Sequence, residues 1–486
     1  MNAIFAMKFV TISSVILAIT TIAGCTVGPD YHSPQVNVNG HWSETLSGGE
    51  TDKSEDIAQW WRRFDDRELD SLVRRAIASN LDVTIATARV RESRAELGVT
   101  KADLWPSADL EGSYARQRQS QNQPIIGAIP LPGNVPFETD LYEASFDSSW
   151  ELDIFGGKRR AVEAGAANLA AAQFNLQDAQ VTLVSEVARN YIQFRSDQRR
   201  LQIAHENIQA QRHSVEIARD RFRNGFVSDL DAEQAATVLA QTEAEVPTLE
   251  SDREASIHAI EILLGRQPGS LHAELTDAAP IPALPPSVPI GLPADLLRRR
   301  PDIRAAERQL AAATANIGVA TADLFPKLSL TGDFGWESVS AADWFSGGSR
   351  YWSIGPAAQW HIFDAGRIFS NIKVRNARQE QALATYQKTV LNGLEEVENA
   401  LVKYSKEQLR NRSLREAAAS GEKSTRISRE QYGQGITSFI NVLDAERSLY
   451  QAQDQVVISD QAVAQNMITV YKALGGGWSG PGAVHH

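Results

Sequence analysis

The apolar positions change period several times along the chain, and each change marks an element. Over 157–222 they follow a helical step. Leu169, Ala172, Leu176, Ala179, Leu183 and Val187 form one stripe, which settles into a step of seven at Phe194, Leu201, Ile208, Val215 and Phe222. Steps of three and four bury one face of a helix, and a sustained step of seven winds helices left-handedly around each other. The stretch holds no proline and, after Gly165, no glycine. It predicts a single helix of about 65 residues, roughly 100 Å long at ~1.5 Å per residue. Taken alone, it describes a coiled-coil rod.

The flanks break that reading. Helical spacing over 67–104 (Leu69, Leu72, Val73, Ala76, Val83, Ala86, Val90) stops at Trp105-Pro106, because proline disfavours helix in the residue before it. The period then falls to two. Leu110, Gly112 and Tyr114 alternate with Asp109, Glu111 and Ser113. After a turn-rich stretch, Ala144, Phe146, Ser148, Trp150 and Leu152 alternate with Glu143, Asp147, Glu151 and Asp153. Asn224-Gly225 ends the long helix, and Ser228-Asp229 opens another that reaches Leu264-Gly265, with Pro247 as an expected kink. Seven prolines between Gln267 and Pro293 then mark a boundary.

Beyond that boundary the order repeats. Gly98-Val99-Thr100-Lys101-Ala102-Asp103-Leu104-Trp105-Pro106 returns as Gly318-Val319-Ala320-Thr321-Ala322-Asp323-Leu324-Phe325-Pro326. Ile154-Phe155 returns as Ile362-Phe363, and Asn224-Gly225 as Gln434-Gly435. Such matching order is a duplication. The expected organisation is a signal peptide over 1–24 and an extended tether over 25–66. A first repeat over 67–265 comprises helix 67–104, strands 107–116 and 143–153, long helix 157–223 and helix 229–264. A proline-rich linker covers 266–293. The second repeat, 294–475, comprises helix 294–324, strands 327–337 and 352–362, long helix 366–432 and helix 438–474. A flexible tail covers 476–486.

Composition narrows the function. The net charge of -12 argues against nucleic acid as a partner. Cys25 is the only cysteine, so no disulfide forms within the chain. It follows Lys8, a short apolar run and Ile22-Ala23-Gly24, the pattern of a secretory signal whose run is too short for a membrane span. Ile-Ala-Gly-Cys resembles the bacterial lipobox, which implies cleavage before Cys25 and acylation, of the palmitate kind, at that residue. Thr26 in the next position implies sorting to an outer membrane.

Each predicted hairpin has strands of about ten residues, the length of a tilted strand crossing a bilayer. Tyr114, Trp150, Phe334, Trp336, Trp352 and Trp360 lie on the apolar face, like an aromatic girdle. An edge hairpin on a soluble core would alternate in the same way. Four strands are too few to close a barrel, and an open edge is untenable in lipid. The strands must then be pooled between chains, and three copies supply twelve. The expected fold is mainly α with a small membrane β part. A duplicated helix–hairpin–helix–helix unit forms a trimer, whose 12-stranded β-barrel continues into a long α-helical barrel.

Several stretches together resemble the TolC-like outer-membrane factors of tripartite efflux pumps, in their NodT-type lipoprotein branch. They are Cys25-Thr26-Val27-Gly28-Pro29-Asp30-Tyr31, Leu296-Leu297-Arg298-Arg299-Arg300-Pro301-Asp302-Ile303-Arg304-Ala305-Ala306-Glu307, and the paired helix-to-strand corners. The resemblance covers nearly the whole chain. It implies a passive outer-membrane exit duct for drugs or other small toxic compounds, with the helical tube in the periplasm. The implied partners are the other copies of a homotrimer, a periplasmic adaptor (membrane fusion) protein, an inner-membrane proton-driven transporter and outer-membrane lipid. It also implies a periplasmic constriction, in which Asp444 matches an acidic ring, Ile440 an apolar ring, and Tyr432 a tyrosine of the closing network. Asn441 stands where other members carry a second aspartate. Three carboxylates in a narrow mouth would repel one another and attract cations.

No metalloprotease pair, P-loop, dinucleotide fingerprint or nucleophile elbow occurs, so neither an enzyme nor a cofactor or metal is expected. Two alternatives stay open on sequence: the outer-membrane duct of a protein-secretion system, and a lipid-tethered periplasmic coiled-coil scaffold.

Overall fold

The computed structural model describes residues 26–43, 50, 51, 56–118, 120, 138–275, 277–285 and 288–478. The signal peptide and Cys25 lie outside the described residues, as do most of the loop after Arg118 and the tail beyond Trp478. Eleven principal elements follow in order: α1 (Arg67–Ser79), α2 (Leu81–Ala102), β1 (Ser107–Arg118), β2 (Glu138–Leu152), α3 (Gly157–Arg223), α4 (Asp229–Leu263), α5 (Pro301–Ala322), β3 (Lys327–Ser338), β4 (Arg350–Gln359), α6 (Arg367–Gly433) and α7 (Phe439–Ala473). The chain divides into two compact units. One comprises Met1–Pro34, Arg91–Ala170 and Arg308–Ala384; the other comprises Gln35–Val90, Ala171–Glu307 and Thr385–His486.

The first unit contains a four-stranded antiparallel sheet in the order β1-β2-β3-β4. Its register sorts the alternation into rows. Leu110, Phe146, Phe334 and Trp352 lie side by side across all four strands. The neighbouring row, on the opposite face, is Asp109, Asp147, Asp333 and Ser353. Like charges set directly opposite destabilise a sheet, so the acidic row belongs to a face that water solvates. Pro356 sits in β4, an edge strand, where a missing N–H is tolerated. The second strand begins at Glu138 and not at 143, because pairing with β1 continues through Arg118↔Glu138. The fourth begins at Arg350 and ends at Gln359, short of the expected 362.

Each strand end is tied to the preceding helix by the same contact. Trp150 Nε1 donates to the Leu104 carbonyl at 2.9 Å, and Trp360 Nε1 to the Leu324 carbonyl at 3.0 Å. Carboxylates then cap the long helices. Asp153 accepts from the amides of Lys158 and Arg159, and Asp364 from those of Gly366 and Ile368. These side chains satisfy amides that the first helical turn leaves free.

The tether does not hang loose from this unit. The Val27 amide donates to the Phe155 carbonyl, and the buried Arg160 donates to the Val27 carbonyl and to Asp30. Gly28, at φ +89°, lies so close to Gly318 that a β-carbon on Gly28 would stand 2.4 Å from the Gly318 Cα.

The second unit is helical. Its core gathers Trp60 and Phe64 from the tether, Leu69 and Leu72 from α1, Tyr191 and Phe194 from α3, Ile260 from α4 and Tyr471 from α7. Trp60 stacks on Tyr471 at 5.2 Å. The apolar seam of α3 is buried at Phe194, Leu201, Ile208 and Val215, whereas its last member, Phe222, is exposed.

Four expectations need correction here. The helix over 67–104 is two helices, divided at Asn80. The Asn80 Oδ1 accepts from the amides of Asp82 and Val83, while its Nδ2 donates to the Leu263 carbonyl. It therefore caps α2 and closes the end of α4 at once. The helix over 294–324 is likewise divided, into a turn at Leu296–Arg299 and α5. The linker is more than a spacer: Leu271, Leu275, Val288 and Ile290 are core residues, and Val288–Pro289 pairs in parallel with Glu50–Thr51. The start of the tail is anchored, since the Gly477 amide donates to the Ile57 carbonyl and Trp478 Nε1 to the Arg299 carbonyl.

The arginine-rich motif over 296–307 has a structural role. Arg300 is buried and pairs bidentately with Asp302, with Glu396 on α6 at 2.7 Å, and with the Ala473 carbonyl that ends α7. Gly393 leaves room for it; a β-carbon there would stand 3.2 Å from the Arg300 Nε.

Candidate constriction site

Two matching turns join the helices of the second unit. Gly225, at φ +74°, closes the one between α3 and α4, and Gly435, at φ +75°, the one between α6 and α7. The amides of Phe226 and Ile436 bond back to the carbonyls of Arg221 and Gln431, the closure that a left-handed residue makes at a helix end.

The first turns of α7 have two faces. Phe439, Val442 and Leu443 are buried against Val215 and Ala218 of α3, Ala232 and Ala235 of α4, and Tyr432. Ile440, Asn441 and Asp444 occupy the exposed face, Ile440 at 52% exposure. Three of the four residues expected at a constriction therefore share one surface. Tyr432 does not join them; it is buried behind that face.

Tyr432 is held on several sides. Its ring lies 4.8 Å from that of Phe439, and the Arg221 guanidinium stands 4.6 Å over it. Arg221 also donates to the Tyr432 carbonyl at 2.5 Å. Burial first, and then the neighbouring Asp231 carboxylate, push the Tyr432 phenol above the ordinary tyrosine range. Tyr432 thus fastens the end of α6 to the ends of α3 and α7.

Asp444 is well exposed and has a partner that sequence reading missed. Arg447 Nη2 lies 2.8 Å from its carboxylate, one turn along the same helix. The exposed face therefore carries a carboxylate and a guanidinium together. Asn441 bonds back to the segment that leads into its helix, its Nδ2 donating to the Thr437 hydroxyl at 2.7 Å.

Leu230 was also overlooked. It follows Gly225 as Ile440 follows Gly435, and it is 61% exposed. The repeat was the signal that would have found it. Behind Asp444, Glu446 is buried and accepts from the Ser214 hydroxyl at 2.6 Å and from Arg429 at 2.8 Å. Among the described residues, no group of three His, Cys, Asp or Glu side chains is placed to hold a metal ion.

Comparison with known proteins bears on the fold and the repeat. The family described as outer membrane efflux protein matches residues 72–266 and 292–476, one segment for each repeat. Nodulation protein T of Rhizobium leguminosarum bv. trifolii is 31% identical, over 94% of this chain and 96% of its own length. The toluene efflux pump outer membrane protein TtgC of Pseudomonas putida is 30% identical, over 95% of each chain. The solved structure of the outer-membrane channel OprN superposes with a TM-score of 0.87 at 36% identity, covering 93% of this chain and all of that one. With both repeats matched and the fold shared across nearly its whole length, the chain belongs to the outer membrane efflux protein family.

Proposed function

We propose that three copies of this chain assemble into the passive exit duct of a tripartite pump. An inner-membrane proton-driven transporter supplies the energy, and a periplasmic adaptor docks on the helical end. The single observation that carries the assembly is the sheet of four strands with two open edges, whose even-numbered face is lined by Leu110, Phe146, Phe334 and Trp352. Such edges are untenable in a bilayer unless neighbouring chains pair with them. Small organic compounds are the cargo, a reading supported by the relative named for toluene efflux. Cys25 carries the lipid. The chain next to it, from Val27 to Asp30, is fixed against Phe155 and Arg160, so an acyl anchor there would sit beside the strand-to-helix corner. The mouth of the duct is the surface of Ile440, Asn441 and Asp444, and Tyr432 with Arg221 holds it closed.

Light scattering of the detergent-purified protein, followed by planar-bilayer recording, tests this. A trimer mass with unitary conductance is the expected result. A single-chain mass without conductance would overturn it.

A further inference from the structure

Charge on the apolar face of the sheet lies at one end only. Even-numbered strand positions form that face, and the charged residues among them are Arg116, Arg118, Glu138, Asp140 and Arg350. All stand toward the β1–β2 and β3–β4 loops. The opposite end, where β2 and β4 lead into the long helices, has Trp150 and Trp360 and no charged even-numbered strand residue. A face that crosses a bilayer has two interfacial ends, each ordinarily belted by aromatic residues. Arginines confined to one end set the two leaflets apart. With the helices in the periplasm, the loop end meets the outer leaflet, which in a bacterial outer membrane is built of phosphorylated glycolipid.

The aromatic residues at that end are joined, not scattered. Tyr114 and Tyr142 oppose each other across β1 and β2, with ring centroids 4.9 Å apart. The β3–β4 loop folds back over the same face: Trp344 lies 5.5 Å from Tyr142, and Phe345 stacks on Trp344 at 4.7 Å. Phe345 meets Trp336 at 5.7 Å, and Trp336 meets Phe334 at 5.0 Å. The rings run unbroken from β1 to β3, and Phe345 keeps 66% exposure. Arginines stand at both ends of the run. Arg116 follows Tyr114 on the same face of β1, and Arg350 is paired directly opposite Trp336.

These arginines are poorly neutralised within the chain. Arg116 and Arg118 share one carboxylate, Glu138, each at 3.4 Å, with side chains 68% and 70% exposed. That distance exceeds the ~2.7–2.9 Å of a well-formed charge-assisted bond. Asp140 already accepts from the Tyr114 hydroxyl at 3.0 Å. Arg350 donates to a backbone carbonyl, that of Gly347. The loop adds one exposed acid, Asp343. We infer that this end of the sheet is a binding site for a phosphorylated glycolipid of the outer leaflet. The guanidinium groups of Arg116, Arg118 and Arg350 take the phosphates, for which their planar fork is suited. The ring faces of Trp344 and Phe345 take the sugar and the first acyl carbons. A phosphoglyceride offers the phosphate but no sugar ring to stack.

The inference needs the sheet in an outer membrane but not the three-copy duct proposed above, so the two can fail separately. Native mass spectrometry of the detergent-purified full chain, titrated with lipid, tests it. Bis-phosphorylated lipid A should bind roughly tenfold tighter than the same lipid A stripped of its phosphates, and tighter than phosphatidylglycerol. Combining Arg116→Gln, Arg118→Gln and Arg350→Gln should weaken bis-phosphorylated lipid A by roughly tenfold or more. Phe345→Ala should weaken lipid A and leave phosphatidylglycerol unchanged. The comparison of lipids on the native chain decides the matter even if the triple variant does not reach the membrane. Equal binding of all three lipids, or a triple variant that binds lipid A as the native chain does, would reduce the rings and arginines to an unselective belt. Phosphatidylglycerol bound as tightly as bis-phosphorylated lipid A would assign the arginines to phosphoglyceride and overturn the glycolipid. A trimeric, conducting protein without lipid preference would leave the duct standing and overturn the site. A lipid preference in a single-chain, silent protein would do the reverse.

Discussion

Asp197 is a residue whose environment works against its charge. It lies on α3 with no exposure, accepting from Gln193 Nε2 at 3.0 Å and from the Ser256 hydroxyl at 3.2 Å. Burial pushes its carboxyl up from the ordinary 3.8 to about 6, against the pull of those two donors. A carboxyl whose pKa is higher in the folded chain than in the unfolded one binds protons more readily when folded. Stability then falls as pH rises from about 4 to about 6, and the whole penalty is present above that window. Asp197→Asn removes the titration while keeping an oxygen for one donor. The variant should therefore unfold later than the native chain at pH 7.5, by on the order of 2 kcal/mol, and this advantage should vanish near pH 4. Thermal unfolding of both chains across that range checks it; a gap that stays constant with pH would show that Asp197 is not the group responsible. Nothing in the sequence sets Asp197 apart from the other acidic residues of the helix. Its partner Ser256 lies on α4, a neighbour that no pattern along α3 reveals.

At the scale of elements, periodicity carried most of the information. α3 and α6 are both 67 residues long, and α4 and α7 are both 35, because the same punctuation recurs in each repeat. The step of seven on α3 also has a polar companion one position earlier. Gln193, Arg200, Asn207 and Ser214 reach Gln461, Asp454, Gln453 and Glu446 on α7. Their polarity gives no sign of a partner along α3, and only the packing of α7 makes them a seam. The break at Asn80 was hidden for a different reason: the apolar stripe continues past it, so a capping asparagine looks like one more polar position. Pro247 lies inside α4, which runs as one helix from Asp229 to Leu263. Repetition also says nothing about which copy receives a unique segment. Gly98 and Gly318 are counterparts, yet a β-carbon on Gly98 would meet open space within the chain, while one on Gly318 would stand 2.9 Å from the Val27 carbonyl and 2.7 Å from Arg160 Cγ. Gly318→Ala should therefore push the Val27–Asp30 segment off α5. The expected cost is about 1–3 kcal/mol, with new protease cleavage near residue 28. An unchanged digestion pattern and melting temperature would mean that the segment is not seated there.

At the scale of the whole molecule, the sequence conveyed the class of fold and the need for a shared sheet, because both follow from spacing. It conveyed less about charge at the proposed mouth. Asp444 was legible as an acidic residue one turn into the last helix, but the balance of charge depends on the rotamer of Arg447, whose guanidinium lies 2.8 Å from that carboxylate. In the proposed three-fold assembly the two residues would place three carboxylates and three guanidinium groups at nearly one level, so the native ring would be close to neutral. The consequence differs from that of a bare acidic ring. Asp444→Asn leaves three uncompensated cations and should shift the reversal potential toward anion preference. Arg447→Gln leaves three carboxylates and should shift it toward cations. The double variant should return close to the native value. Both residues are well exposed, so salt should screen the effect. With a Debye length of about 10 Å at 0.1 M and about 3 Å at 1 M, the shifts should be clear in dilute salt and largely gone in concentrated salt. Reversal potentials under a KCl gradient in planar bilayers provide the measurement. If Asp444→Asn and Arg447→Gln move the potential in the same direction, or not at all, this face of α7 does not line the narrow part of the duct.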